Sequence, residues 1–441
     1  MTPLPDESRR EFLKAAVAAG GVSALSACLD LGGDGDPADG SSTPTTGGPV
    51  PDGVDDPASL PDRQHGWNDL VPTDDYGNTV LPRHQVLLYL TLDGSGPPDG
   101  SARETVESAL ATLDRAYERS NEGLIHSIGY SPAYFDRFDE SLPPSVNLPA
   151  PRSLSSFEDP DLDEQDALIH LASDRADVVL EADEALRGNV EANGIAVETP
   201  LTDAMTVDDR RTGFIGDGMP AERQDVNGVP DGDPVPEESP LFMGFVAGFA
   251  GNQASEDYVT IGEGPFAGGT TKHVANIRQR LEDWYVEQDF EERVMEMFSP
   301  THAEEGMVEG AGHNLGDHSG VTDEIMDRVA DDAREHGRVG HAQKAARANR
   351  DEDGNVLLLR RHFESTDDDV ASLHFPSLQR DLAQFERVRE AMNGSDIDSP
   401  AVKQRVNNGI LEYIFVKHRG NFLVPPRRHR ALPTPRPEGE T

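Results

Sequence analysis

Gly340-His341-Ala342-Gln343-Lys344-Ala345-Ala346-Arg347-Ala348-Asn349-Arg350, followed after an acidic turn by Leu357-Leu358-Leu359-Arg360-Arg361, is the stretch from which the rest of the chain is read. A histidine among small residues at helical spacing, with an apolar strand ending in arginine nineteen residues later, has the two parts of a haem site that meets peroxide. The imidazole of His341 offers an axial nitrogen to iron, and Arg360 offers a fixed cation. A buried guanidinium is costly without a partner, so arginine at the end of an apolar strand calls for a peroxide oxygen, a propionate or a nearby acid. Arg361 is the alternative inward residue. His336 and His362 are rival ligands, but the small neighbours and the spacing to Leu358-Leu359-Arg360 favour His341.

Outward from this stretch, other segments fall into order. Val86 to Leu92 reads as a strand, Ser101 to Arg119 as an amphipathic helix, Gly123 to Tyr130 and Ala167 to Ala172 as strands, and Val178 to Leu186 as a helix. Strand, helix, strand, strand, helix is the ferredoxin-like order. His126 and His170 read as polar residues within strands rather than ligands. Leu241 to Phe249 reads as an apolar strand with glycines, and Ala221 to Ser239 as an inserted surface loop. Gly264 to Ile277 reads as a turn and strand, Arg278 to Val286 as a helix carrying Trp284, and Val321 to Glu335 as a polar helix.

Taken together the segments resemble the dye-decolourising (DyP-type) haem peroxidases. The resemblance rests on Gly123 to Asp136, Asp166 to His170, Gly213-Phe214-Ile215-Gly216-Asp217-Gly218, Gly264 to Ile277, the His341 and Arg360 segments, and Leu378-Gln379-Arg380-Asp381-Leu382. It continues to Gly420-Asn421-Phe422-Leu423-Val424-Pro425-Pro426. It implies an α+β fold of two ferredoxin-like domains, of the dimeric α/β-barrel, chlorite-dismutase-like type. It also implies b-type haem, hydrogen peroxide as oxidant and a reducing substrate. His341 would be the iron ligand, Asp217 the distal acid and base, and Arg360 the distal cation, touching both haem and peroxide. A homo-oligomer fits the same family.

Departures from the family pattern support a second reading. Gly216 sets Asp217 one residue late, and Asn349 falls later after His341 than the family motif has it. On that reading the chain is a non-catalytic haem-binding or structural surface lipoprotein; haem-iron acquisition would use the same pocket. A non-haem metal site drawn from His302, His313, Asp317 and His318 is a further alternative.

The formal net charge of −44 excludes nucleic acid and anionic membrane surfaces as partners. Lysine occurs only at Lys14, Lys272, Lys344, Lys403 and Lys417, while acids are spread throughout, as in proteins of extreme halophiles. At the start, Ser8-Arg9-Arg10-Glu11-Phe12-Leu13-Lys14 and the short apolar run to Ala27 read as a twin-arginine export signal. Leu25-Ser26-Ala27-Cys28 reads as a lipobox, with the only cysteine as the lipidated residue.

The expected organisation is a signal over 1–28, an acidic tether over 29–79 and an N-terminal domain over 80–212. A haem-binding domain over 213–430 and a tail over 431–441 complete it. The twin-arginine translocase would be the export partner. The product would sit on the outer face of the cytoplasmic membrane, held there only by a lipid on Cys28.

Overall fold

Val86-Leu87-Leu88-Tyr89-Leu90 is apolar at every position because both faces of its strand are covered. Val86, Leu88 and Leu90 join the core of the first half, whereas Leu87 and Tyr89 point the other way, to a cluster with Leu168, Val274, Phe363 and Phe422. That second cluster is the inside of a barrel. The computed structural model describes residues 48–437, so the twin-arginine segment, Cys28 and the first part of the expected tether lie outside the described residues.

Twelve strands occur among the described residues: β1 (His84–Leu92), β2 (Ile125–Tyr130), β3 (Asp161–Leu162), β4 (Ala167–Ser173), β5 (Glu191–Ala192), β6 (Ile195–Ala196), β7 (Met205–Phe214), β8 (Thr270–Gln279), β9 (Leu359–Arg360), β10 (Phe363–Ser365), β11 (Ser372–Gln379) and β12 (Ile414–Val424). Eight of them close a ring in the order β10-β7-β1-β4-β2-β12-β8-β11 and back to β10, each neighbouring pair antiparallel. Within β7-β1-β4-β2 the fourth strand of the half pairs the first, the first the third, and the third the second. The set β12-β8-β11-β10 repeats that order, so both halves are ferredoxin-like. The halves meet at two thin seams, one register pair each: Tyr130 with Leu423, and Glu364 with Phe214.

Four expectations change. Residues 48–79, read as tether, lie against the barrel. Gln64 donates to the carbonyls of Pro425 (2.8 Å) and Ile128 (3.3 Å) and accepts from the Ile128 N–H (3.0 Å), bridging the β2–β12 seam. A polar strap does there what an apolar one cannot, because backbone groups left unpaired at a seam need partners. Trp67, 3% exposed, follows it inward to lie 5.1 Å from His170. The described part of the expected tail, to residue 437, is also seated: Leu432 is buried, and Tyr134 donates to the Pro433 carbonyl at 2.9 Å.

Leu241–Phe249 is not a strand. Gly244 (φ +86°) and Gly248 (φ +88°) break the extended path, and Trp284 pins the resulting loop by donating from Nε1 to the Met243 carbonyl at 3.0 Å. The polar helix expected over Val321 to Glu335 is two short ones, Asp323–Asp327 and Val329–Glu335. No helix among the described residues is long and apolar enough to cross a membrane.

In the first half, helices Gly100–Ala116 and Ala176–Leu186 lie flat on the outer face of the sheet and close it. In the second half, helices His341–Ala348 and Leu382–Ala391 cover the equivalent face and leave a slot beneath them.

Candidate active site

The slot is a cavity of about 180 Å³. Its floor is the outward side of the second sheet: Ala275 and Ile277 of β8, Leu373 and Phe375 of β11, Ile414 and Val416 of β12. The loop carrying Met243 and Phe245 forms one wall, and His341 and Ala345 project from the helix above. It adjoins a wider vestibule, with which it shares Leu241, Val246, Ala247, Arg360 and His362. A third chamber lies on the side of helix His341–Ala348 and shares His341, Ala345 and Asn349. Arg360 lines all three.

Close packing seats His341. A Cβ added at Gly340 would lie 1.8 Å from the Phe298 carbonyl oxygen, so the chain can enter the helix here only as glycine. On the other side Gly409 (φ +61°) lies against the His341 backbone, where an added Cβ would meet its nitrogen at 2.8 Å. Gln343, fully buried, fixes the helix by donating to the Ile325 carbonyl (2.7 Å) and Asp332 (2.6 Å). Burial, then the charges of Lys344, Arg360 and Arg389, lower the imidazole to about 3. His341 is therefore neutral and carries a free lone pair, the form that binds a metal. Its Nδ1 is buried without a hydrogen-bond partner.

Strand alternation sorts the paired arginines. Leu358, Arg360, His362 and Glu364 all reach the cavity. Arg361 points away, ion-paired with Glu256 at 2.8 Å and 5.0 Å over the Trp67 ring. Arg360 is the cavity arginine. Its Nε and Nη2 donate to Gln253 Oε1 (3.2 Å) and the Asn252 carbonyl (3.3 Å), both neutral, and no carboxylate among the described residues pairs with it. Burial lowers it to about 10, which leaves it charged. Arg389 and Arg419, also on the wall, are both held by Glu158. Arg360 thus brings an uncompensated positive charge to an apolar cavity.

Asp217 lies elsewhere. It sits on a turn made by Gly216 (φ +145°) and Gly218 (φ +78°), faces the vestibule, and has a side chain 62% exposed with His313 at 3.8 Å. Desolvation on its inner side raises the carboxyl, against the pull of His313 and Arg83. The structure gathers His341 and Arg360 on one cavity and sets Asp217 in the chamber next to it.

The other histidines have separate occupations. His126 bonds Asp114 at 2.9 Å, and His170 bonds Gln85 at 2.8 Å. His336 lies 3.7 Å from Glu304 at a helix end. His302 is bonded to Ser299 and the Ser319 carbonyl, while His313 reaches the Glu238 carbonyl. No group of three or more His, Cys, Asp or Glu side chains among the described residues could hold a metal ion, so the set His302, His313, Asp317 and His318 does not converge.

Of two further cavity residues, Glu364 had no role in the sequence reading and His362 entered it only as a rival ligand. Glu364 accepts from the Phe242 N–H (2.8 Å) and Gln279 Nε2 (2.9 Å), and burial raises it to about 8. His362 is 4% exposed, and neither ring nitrogen has a hydrogen-bond partner. Their signal was the period of two from Arg360, readable only once the strand is known to continue past His362.

A haem needs a flat apolar slot, one imidazole facing it and a cation for its acidic edge or for a bound anion. The orphaned His341 and unpaired Arg360 on an apolar floor fit that group.

The family model described as "Family of unknown function (DUF7405)" matches residues 82–426. No curated protein matches the chain. Among solved structures, a variant of Rhodococcus jostii RHA1 DypB in complex with heme is 17% identical with a TM-score of 0.53, covering 83% of this chain and 96% of that one. A putative dyp-type peroxidase protein from Shewanella oneidensis is 15% identical with a TM-score of 0.52, covering 79% and 94%. A dye-decolorizing protein from V. cholerae is 15% identical with a TM-score of 0.50, covering 82% and 98%. The chain has the fold these proteins share.

Proposed function

We propose that this chain, which belongs to the family of unknown function DUF7405, is a haem peroxidase of the dye-decolourising type that uses hydrogen peroxide to oxidise a reducing substrate. The observation that carries the reading is an apolar cavity holding a neutral, half-buried imidazole, His341, and a guanidinium without a carboxylate, Arg360. The shared fold supports it.

His341 would hold haem b through its free nitrogen, and Phe375, Ile277 and their neighbours would exclude water from the slot. Bound haem supplies the redox chemistry, converting the oxidising power of peroxide into single-electron oxidations. Arg360 holds negative charge as it develops on a peroxide oxygen, and it does so with little reorganisation because Gln253 and Asn252 already fix its guanidinium. The vestibule, with Asp217 at its side, is the way in for peroxide.

The test is an absorption spectrum of protein folded in high salt and titrated with haem, before and after one equivalent of peroxide. A Soret band that forms, shifts with peroxide and is absent in His341→Ala supports a peroxidase. A band indifferent to peroxide supports haem carriage instead, the reading that Asp217's place in the vestibule favours. No band in protein shown to be folded refutes both.

Export by the twin-arginine route and lipid attachment at Cys28 belong to the same proposal, since that route carries proteins folded around a cofactor. Cys28→Ser should release the protein from membranes into the medium. Retention of the variant on membranes would count against the anchor.

A further inference from the structure

We propose that His362 is the proton acceptor of the cavity, the group that takes the proton of a neutral weak acid entering beside the haem and holds it for return. The inference rests on the haem-binding reading above.

A buried imidazole with both ring nitrogens unpaired is costly, and most buried polar groups avoid that state. His126 and His170 illustrate the ordinary outcome, each bonded to a neighbour at 2.9 Å or less. His362 is held in place without such a bond. The Arg361 N–H donates to the Pro376 carbonyl at 2.8 Å, which fixes the strand just before it, and its ring lies nearly parallel to that of Phe375, with centroids 6.3 Å apart and planes at 17°. The backbone and packing therefore hold beside the cavity a ring whose two nitrogens are both without partners.

Its place is equally informative. His341 borders the cavity and the third chamber, whereas His362 borders the cavity and the vestibule. The two imidazoles thus approach the slot from different sides, one beside its helix and one beside its entrance. Arg360, two residues before His362 and lining the same cavity and vestibule, completes a pair of cation and base at the entrance side. Asp217 is in the vestibule alone and its side chain is mostly exposed. Burial, then Arg360, hold His362 in its neutral form, which is the form that accepts a proton.

In peroxide cleavage His362 would accept a proton from one peroxide oxygen and return it to the other, which would leave as water with the electron pair of the O–O bond; haem held by His341 would supply the two electrons. The same base serves a simpler acid. Hydrogen cyanide binds ferric haem as cyanide, so its H–C bond must break and a nearby base must take the proton.

Cyanide binding to the ferric holoprotein therefore tests the proposal without reference to turnover. Association rates would be measured by stopped-flow at the Soret band for the full chain, His362→Leu, His362→Gln and Asp217→Ala. Loss of a positioned general base is worth about 10²-fold or more, so both His362 variants should slow by at least about tenfold while keeping the Soret band. Both should fold, since each removes a ring with two orphaned nitrogens.

Slowing below about tenfold in both His362 variants would overturn the proposal. So would a loss confined to Asp217→Ala, which would make the carboxylate the base. A haem band lost in His362→Leu and His362→Gln but kept in His341→Ala would make His362 the iron ligand and likewise overturn it. Absence of haem binding in every form, the unsubstituted chain included, would overturn the haem reading itself and this inference with it.

Discussion

Replacing Gly340 by alanine tests whether His341 is placed by close packing. The backbone there (φ −81°, ψ 146°) suits any residue, so the new methyl meets no conformational penalty of its own. What it meets is the backbone between helices Phe290–Met297 and Pro300–Glu304: the Phe298 carbonyl oxygen at 1.8 Å, its carbon at 2.4 Å and Ser299 Cα at 2.8 Å. Main-chain atoms cannot rotate away, so the segments must part by on the order of 1 Å in an interior that has little slack. Overpacking of this kind costs ~1–3 kcal/mol.

Gly100→Ala is the control. It opens helix Gly100–Ala116, and an added Cβ there meets nothing within 4 Å. That substitution should stabilise by ~0.4–1 kcal/mol through the unfolded chain. Urea unfolding of the two variants in molar salt should give opposite signs. Haem titration of Gly340→Ala should show affinity at least about tenfold weaker, a loss of about 1.4 kcal/mol, because the residue displaced with Gly340 is the proposed ligand. If Gly340→Ala matches Gly100→Ala in stability and binds haem normally, the packing argument for His341 is wrong.

Arg361→Leu and Arg360→Leu should differ in the same unfolding assay. The first strips a buried ion pair from Glu256 and should destabilise by about 3 kcal/mol or more, whereas the second orphans no acid and should be near neutral in haem-free protein. Glu364→Gln should change how stability depends on pH. Burial raises the Glu364 carboxyl from 4.5 to about 8, so between those values the folded chain keeps a proton that the unfolded chain has lost. Stability from this group is complete below pH 4.5 and falls by about 1.4 kcal/mol per pH unit until pH passes about 8. The slope in the variant should be shallower by that amount, measured by urea midpoints across the range. The substitution can be accommodated, since Gln279 Oε1 has no partner and an amide flip would present it.

Much of the fold was legible in the chain because its strands carry strong local patterns. β1, β4 and the segment from Leu378 to Val388 announce themselves by apolar runs and helical spacing. β7 does not. Its Asp208-Asp209-Arg210-Arg211 run is polar and half exposed, and it is a strand because β1 on one side and β10 on the other demand partners. Leu241–Phe249 misled in the opposite direction: its apolar residues line a cavity wall rather than a sheet.

The sequence by itself determined the strand and helix order of the first half short of β7, the acidic composition and the pairing of His341 with an arginine segment, since each is written in neighbouring residues and their period. Only the tertiary structure decided which arginine enters the cavity, that Asp217 stands outside it, and that His362 and Glu364 stand within. Those outcomes depend on where a strand continues and on which chamber a turn opens into. They are set by contacts between segments far apart in the chain, such as Arg361 with Glu256 and Gly340 with Phe298, which no local pattern records.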